Sequence, residues 1–352
     1  MQKGNRIMKA IRFMQPEVIE YSEIPQPEVK DNEILAEIAY AGFCATDIEL
    51  LTGEMIHIKN GNTTYPIIPG HEWSGTVVAV GKNVRDFKVG DKVTSDVSLG
   101  CGECDMCRKG HYNLCPNREV VGSYRNRQGV FAQYVAVPQR HVYKIPENLS
   151  LEEAALAEPA ATAMYAVTRA RIPAGAEVLV IGDGPIGQLA AQLANLAGAS
   201  KVILAGSWDA KLEIAKECGI AATINYHNED VAERAVALTN GGPEIIIETS
   251  GNNSALATAV KALKPTGRVV AISWYNGAMV DVPMNTLIVK DAELIGTLAS
   301  PNSFGPVLSY MAEGKLNVKP LITHIKPLEE LADVVKMVRA KKEMRIKVLL
   351  KP

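Results

Sequence analysis

"EVLVIGDGPIGQLAAQLANLAGA", residues 177–199, narrows the folds open to this chain more than any other stretch. A short apolar run stops at Gly182-Asp183-Gly184, and a pattern of small and apolar residues at helical spacing begins at once. Gly182, Gly184 and Gly187 stand as G-x-G-x-x-G between a strand and a helix, the context in which that triplet carries information. Gly182 permits a tight turn, Gly184 lets backbone approach a pyrophosphate, and Gly187 lets helix and strand pack closely. Pro185 and Ile186 open the helix, whose N-terminus turns free N–H groups and a positive dipole end toward phosphate. The theme then repeats in "KVILAG", "DAKLEIAKECG" (closed by Gly219), "EIIIETSG", "SALATAVKALKPTG", "RVVAIS" and "AELIGT". Alternating strands and helices predict α/β architecture, a doubly wound parallel sheet. Its strands read as continuous apolar runs because helices cover both faces.

The chain has 352 residues, more than one ordinary core accommodates, so two domains are expected. Up to about residue 150 the text is β-rich, as in "EILAEIAYAGF" and "GVFAQYVAV", with frequent Gly and Pro. After Ser300 it is less regular, with a helix expected in "PLEELADVVKMVRAK" and a last strand in "RIKVLL". Met8, followed by "KAIRF", reads as a second start that would make the first seven residues dispensable.

An NAD-binding sheet is expected to end its second strand in Asp or Glu, which grips the ribose 2′-OH. Here "ILAGSWDAK" ends that strand on Gly206 and Ser207, and Asp209 comes three residues later, facing away. A carboxylate beside a 2′-phosphate costs about 1 kcal/mol even in water, and its absence removes that barrier. Ser207 could donate to a 2′-phosphate and Lys211 could supply charge, so NAD(P) is expected with a lean to NADP.

The net charge of -2 gives no electrostatic case for nucleic acid or an acidic membrane surface, and a small-molecule substrate is expected instead. No signal peptide and no spanning helix is read from the chain. Six cysteines without a secretion signal point to a reducing compartment, the cytoplasm, and to metal binding. Four of them, Cys101, Cys104, Cys107 and Cys115, lie in "LGCGECDMCRKGHYNLCP". Four thiolates close a tetrahedral zinc and leave no position for substrate, so this lobe reads as a structural staple. Cys218 reads as a core residue, and His57, His111, His141, His227 and His324 have no ligand context.

Three further segments carry candidate chemistry: "YAGFCATDIEL" with Cys44, Thr46 and Asp47, "IPGHEWSGTVVAVG" with His71 and Glu72, and "LAEPAATAMYAV" with Glu158 and Thr162. Their spacing alone does not bring them together. In this order, with "VGDKV", the four-cysteine lobe and "VLVIGDGPIG", the chain resembles the zinc-dependent medium-chain dehydrogenases of the alcohol dehydrogenase superfamily over essentially its whole length. The resemblance implies a GroES-like, β-rich catalytic domain, residues 1–154 and 299–352 with the lobe at 100–116, and an inserted Rossmann domain, residues 155–298. It implies two zinc ions per chain, one structural and one catalytic, the latter held by Cys44, His71 and either Glu72 or Glu158. Thr46 would be the first proton acceptor in a relay to solvent, and Asp47 would tie the zinc loop to its surroundings. Thr162, Thr249 and Thr297 would face the cofactor, with "ETSG" on the adenosine side and "IGTLASP" along the nicotinamide. Simple alcohol dehydrogenases of this family carry a second Cys where Glu158 stands, so the carboxylate resembles the sorbitol and threonine dehydrogenase branch. Two positions depart from the pattern: Glu49 replaces a relay His, and Ala299-Ser300 replace the Arg-Tyr pair of sorbitol dehydrogenases. A secondary alcohol is the expected substrate, most of all a polyol, sugar alcohol or its phosphate. The alternatives are a threonine or simple alcohol dehydrogenase, or a non-catalytic zinc- and nucleotide-binding protein. Family members form dimers and tetramers, so a homo-oligomer is expected.

Overall fold

The computed structural model describes residues 6–275 and 279–352. Its larger parallel element is a six-stranded sheet ordered Ala222–Asn225, Lys201–Gly206, Glu177–Ile181, Ile245–Glu248, Arg268–Ala271, Glu293–Gly296. All its pairings are parallel. Glu177–Ile181 pairs with Lys201–Gly206 on one side and Ile245–Glu248 on the other, so the winding reverses there. At such a reversal a crevice opens beyond the carboxyl ends of the strands, and ligands bind in it. Helices cover both faces. Val178, Val180, Val202 and Leu204 pack with Leu189 and Ala190 on one side, while Leu179, Ile203 and Ile246 pack with Ala259 and Leu263 on the other.

The expected strands of this sheet form, and one more appears at an edge. Ala222–Asn225 reads ATIN, too short and mixed to stand out in the sequence. The opposite edge, Glu293–Gly296, departs from the expectation of two covered faces: Glu293, Leu294 and Gly296 are exposed. Cys218 is also not a core residue; it is half-buried at the C-cap of the helix Asp209–Glu217.

A second sheet is ordered Ile322–Pro327, Lys347–Lys351, Glu33–Phe43, Glu72–Val80, Lys92–Ser95, Val142–Lys144, and Tyr134–Pro138 also pairs with Glu33–Phe43. "EILAEIAYAGF" is the strand Glu33–Phe43 residue for residue, whereas only the second half of "GVFAQYVAV" becomes strand. The last strand, from the C-terminus, lies antiparallel to Glu33–Phe43 with Val348 opposite Phe43. Met8 is buried within the strand Ile7–Gln15, where Ile7 already pairs with Pro25, and residues 1–5 lie outside the described residues. Among the described residues no helix is long and apolar enough to cross a membrane.

Insertion of the last strand carries a charge into the interior. Lys347 is 2 % exposed, and its Nζ donates to Glu72 Oε1 at 2.7 Å, Glu72 Oε2 at 2.6 Å and the Phe43 carbonyl at 3.2 Å. Glu72 is 1 % exposed. Removing one member of a buried ion pair strands the other charge away from water, at a cost of about 3–5 kcal/mol. Lys347→Met is therefore expected to lower the urea-unfolding free energy by about that amount. The double variant with Glu72→Gln, which leaves no orphan charge, is expected to recover much of it.

Candidate active site

The strand Glu33–Phe43 ends at Cys44, which caps the helix Ala45–Thr52. Asp47, fully buried in that helix, turns back on the junction. Its Oδ2 accepts from the Cys44 N–H at 2.9 Å, its Oδ1 accepts from the Gly70 N–H at 3.1 Å, and Oδ1 lies 3.8 Å from His71 Nδ1. One carboxylate thus ties the Cys44 segment to the segment that delivers His71 and Glu72. Burial raises the Asp47 pKa, and His71 opposes that rise.

The ligand atoms of Cys44, His71 and Glu72 lie within 4.8 Å of one another. His71 Nδ1 is buried with no hydrogen-bond partner. Burial works against a charged ring, yet Cys44, Asp47 and Glu158 outweigh it and hold the His71 pKa well above its usual value. Glu158, near the start of the helix Ala157–Ala170, is buried and does not join the 4.8 Å group. Its carboxyl is pushed up to about 7, first by desolvation, with His71 pulling down and Glu72 pushing up. Thiolate, imidazole and carboxylate donors within 4.8 Å of one another fit a divalent cation, and their chemistry suits zinc.

Thr46 Oγ1 is 3.7 Å from Cys44 Sγ. Glu49, the residue in place of a relay His, is half-buried, and burial raises its pKa. Trp73 is buried, and its Nε1 donates to Ser95 Oγ at 3.0 Å. Lys347 is the residue of this pocket that sequence reasoning missed. It lies 275 positions from Glu72, and a lysine in a terminal strand carries no local signal.

In the lobe, Cys101, Cys104, Cys107 and Cys115 place their sulfurs within 4.8 Å of one another. Cys101 and Cys107 are 4.0 Å apart, and Cys104 and Cys115 are 3.8 Å apart. A tetrahedral zinc with Zn–S bonds of about 2.3 Å places its sulfurs about 3.8 Å apart. Backbone N–H groups of Glu103 and Cys104 point at Cys101 Sγ, each at 3.4 Å, and lower that thiol to about 6. None of the chain's cysteines is in a disulfide. His141 packs beneath the lobe, its Nε2 3.3 Å from the Gly100 carbonyl.

The glycine loop has the shape of a cradle. A Cβ on Gly187 would fall 1.8 Å from the Gly182 carbonyl oxygen, so helix and strand meet only because it is absent. A Cβ on Gly184 would meet nothing within 4 Å, leaving open space beside the N-terminus of the helix Pro185–Leu196. Thr249 Oγ1 donates to the Ile181 carbonyl at 2.9 Å, and Thr297 N to the Ala271 carbonyl at 3.0 Å, so both stand at carboxyl ends of strands. Thr162 Oγ1 donates to Glu158 Oε1 at 3.4 Å.

Gly206 and Ser207 end their strand without an acid, but a carboxylate reaches the corner from elsewhere. Asp183 Oδ2 accepts from Ser207 N–H at 2.7 Å, Trp208 N–H at 3.1 Å and Ser207 Oγ at 3.2 Å, and Oδ1 is 3.5 Å from Lys211 Nζ. A Cβ on Gly206 would fall 2.4 Å from Asp183 Cβ. Asp183 occupies the space an acid on Gly206 would take. Its signal was visible as the residue between the first two glycines of the loop.

Comparison with known proteins agrees with this geometry. Residues 30–147 match the family described as alcohol dehydrogenase GroES-like domain, and residues 185–313 match zinc-binding dehydrogenase. The chain is 31 % identical to a sorbitol dehydrogenase of Bacillus subtilis, over 98 % of this chain and 97 % of that one. It is 30 % identical to a D-arabitol-phosphate dehydrogenase of Enterococcus avium, over 99 % of each. A crystal structure from Sinorhizobium meliloti bound to NADP superposes with a TM-score of 0.91 at 32 % identity, covering 99 % of this chain and 100 % of that one. With a doubly wound sheet, a glycine cradle, a thiolate tetrahedron and a mixed-donor pocket in one chain, the protein belongs to the zinc-dependent alcohol dehydrogenase family, NAD(P)-dependent oxidoreductases of CH–OH groups.

Proposed function

We propose that this enzyme transfers a hydride between NAD(P) and the secondary hydroxyl of a polyol, a sugar alcohol or its phosphate, with the ketone as reverse substrate. The observation that carries the reading is the pocket of Cys44, His71 and Glu72 with a second buried carboxylate, Glu158, beside it. The similar sorbitol and arabitol-phosphate dehydrogenases support the polyol class. In this reading residues 1–154 and 299–352 form the catalytic domain and 155–298 the coenzyme domain.

Two zinc ions are proposed. Cys101, Cys104, Cys107 and Cys115 would hold the structural one; Cys44 and His71, with Glu72 as the nearer carboxylate and Glu158 as the alternative, would hold the catalytic one. When bound, zinc would supply a Lewis acid that acidifies the substrate hydroxyl, and NAD(P) would supply the hydride acceptor. The chain's own residues place and protect that exchange. Asp47 keeps the Cys44 and His71 segments at fixed separation, Lys347 holds the Glu72 carboxylate, and Thr46 takes the hydroxyl proton toward solvent. Gly182, Gly184, Pro185, Ile186 and Gly187 receive the pyrophosphate, with Thr249 and Thr297 along the rest of the cofactor.

For the adenosine end, the acid-free strand end at Gly206 and Ser207 favours NADP, as the sequence does, and the Asp183 carboxylate at the same corner opposes it while occupying Lys211. A homo-oligomer is proposed on the exposed edge strand Glu293–Gly296, beside which Ile288 and Val289 face solvent. A cytoplasmic setting is proposed on the unpaired cysteines.

The decisive experiment is a nicotinamide absorbance assay over polyols, polyol phosphates, ketoses, threonine and simple alcohols, with NAD and with NADP. Turnover on a polyol or its phosphate is expected, lost with a chelator; absence of turnover on every member would overturn the reading. Cys44→Ser is expected to abolish turnover with its thermal midpoint nearly unchanged. Cys101→Ser is expected to lower the midpoint by at least about 5 °C. Equal thermal losses would contradict that division. Asp183→Ser, measured as the ratio of kcat/KM with NADP to that with NAD, is expected to raise the ratio roughly tenfold, because a like charge leaves the 2′-phosphate corner.

A further inference from the structure

The thiolate lobe does more than close on itself. Three of its residues grip the chain leaving the last strand of the parallel sheet. Asn113 Nδ2 donates to the Leu298 carbonyl at 2.8 Å. Tyr112 Oη accepts from the Asn302 N–H at 2.8 Å and donates to Asp96 Oδ2 at 2.6 Å. Asn302 Nδ2 donates to the Gly110 carbonyl at 3.0 Å. Both ends of the segment 298–302 are thus pinned to the lobe, although 185 to 192 residues separate the partners.

The pinned segment is strained. Ala299 has φ +56° and Asn302 has φ +60°. Alanine seldom occupies that region, because its Cβ crowds the backbone, and such a residue persists only where its surroundings over-determine it. Here the anchors stand on either side of it. Between them Ser300 is fully buried, and its hydroxyl has no partner. The segment also begins directly beyond the carboxyl end of Glu293–Gly296, with Thr297 bonded to Ala271, on the side of the sheet where a dinucleotide lies. It is too far along the sheet from the glycine loop for the pyrophosphate, since two strands stand between Glu177–Ile181 and Glu293–Gly296. The family resemblance places the nicotinamide along "IGTLASP", residues 295–301, which contain most of this segment.

We propose that the four-cysteine lobe is a positioning element for the coenzyme: Tyr112 and Asn113 hold the segment 298–302, with Ala299 and Asn302 at positive φ, as the seat of the nicotinamide half of NAD(P). This rests on the dehydrogenase reading above. A staple that served stability alone would need none of these bonds, since its four sulfurs already close the loop.

The test separates the two ends of the coenzyme. Asn302→Gly keeps the φ of +60° available and removes only the bond to Gly110, leaving the lobe untouched; Tyr112→Phe removes both bonds of the phenol. Each variant is titrated with reduced coenzyme, followed by nicotinamide fluorescence, and with the matching ADP-ribose (2′-phosphorylated if NADP is used), which lacks nicotinamide. The expected result is a roughly three- to tenfold weaker Kd for reduced coenzyme, the size of one lost hydrogen bond, with ADP-ribose affinity and metal content unchanged. Unchanged affinity for reduced coenzyme in both variants would overturn the proposal, as would an equal weakening of both ligands. Wild-type protein that binds neither ligand would instead overturn the dehydrogenase reading, and this inference with it.

Discussion

The ion pair between Lys347 and Glu72 is the constraint around which the pocket of Cys44, His71 and Glu72 is built. Asp47, Glu72 and Glu158 are all buried, and the charge of Glu72 works against that of the other two carboxylates. Lys347 supplies a buried positive charge against them, and its pKa stays raised because Glu72, Cys44 and Glu158 outweigh the desolvation of the ammonium. Lys347 reaches that place only because the C-terminal strand pairs with Glu33–Phe43. Closing the second sheet and balancing the charge of the pocket are therefore a single event.

The same logic explains why Asp47 is buried. Its two oxygens accept from backbone N–H groups on both sides of the pocket, so the separation between Cys44 and His71 is set by one rigid side chain rather than by two loops. A pocket that keeps a thiol and an imidazole within 4.8 Å of each other tolerates little drift, and hydrogen bonds behind such side chains hold their orientation. In the parallel-sheet half Asp183 plays a comparable part. It spans from the glycine loop to the next strand end and fills the space beside Gly206, so it ties two adjacent loops together.

Local signals gave the reading of individual elements most of its reach. "EILAEIAYAGF" and "KVILAG" coincide with their strands because apolar runs bounded by turn residues have few alternatives. "AATIN" escaped notice because an edge strand needs little apolar character, and "GVFAQYVAV" was read too long because its first half makes irregular backbone contacts instead of ladder. In the pockets, Cys44, His71 and the alternatives Glu72 and Glu158 were nameable through motif resemblance, and the four lobe cysteines through their spacing. Lys347, the bonds of Asp183 to the next strand end and the grip of Tyr112 on Asn302 were not, because each joins residues distant in sequence by an ordinary side chain with no motif around it.

By itself the sequence determined the parallel α/β half, the glycine turn and the four-cysteine lobe, because each is written in short-range spacing: strand to glycine to helix, or cysteine to cysteine; the family was legible through the resemblance of its motifs in their order. Only the tertiary structure decided which groups share a pocket. It put Glu72 rather than Glu158 within 4.8 Å of Cys44 and His71, brought a carboxylate to a strand end that had none, and set the lobe against the exit of the last parallel strand. The physical reason is that charge balance and hydrogen bonding depend on distance through space. Pairing of strands from opposite ends of the chain sets those distances, and no local window of sequence contains them.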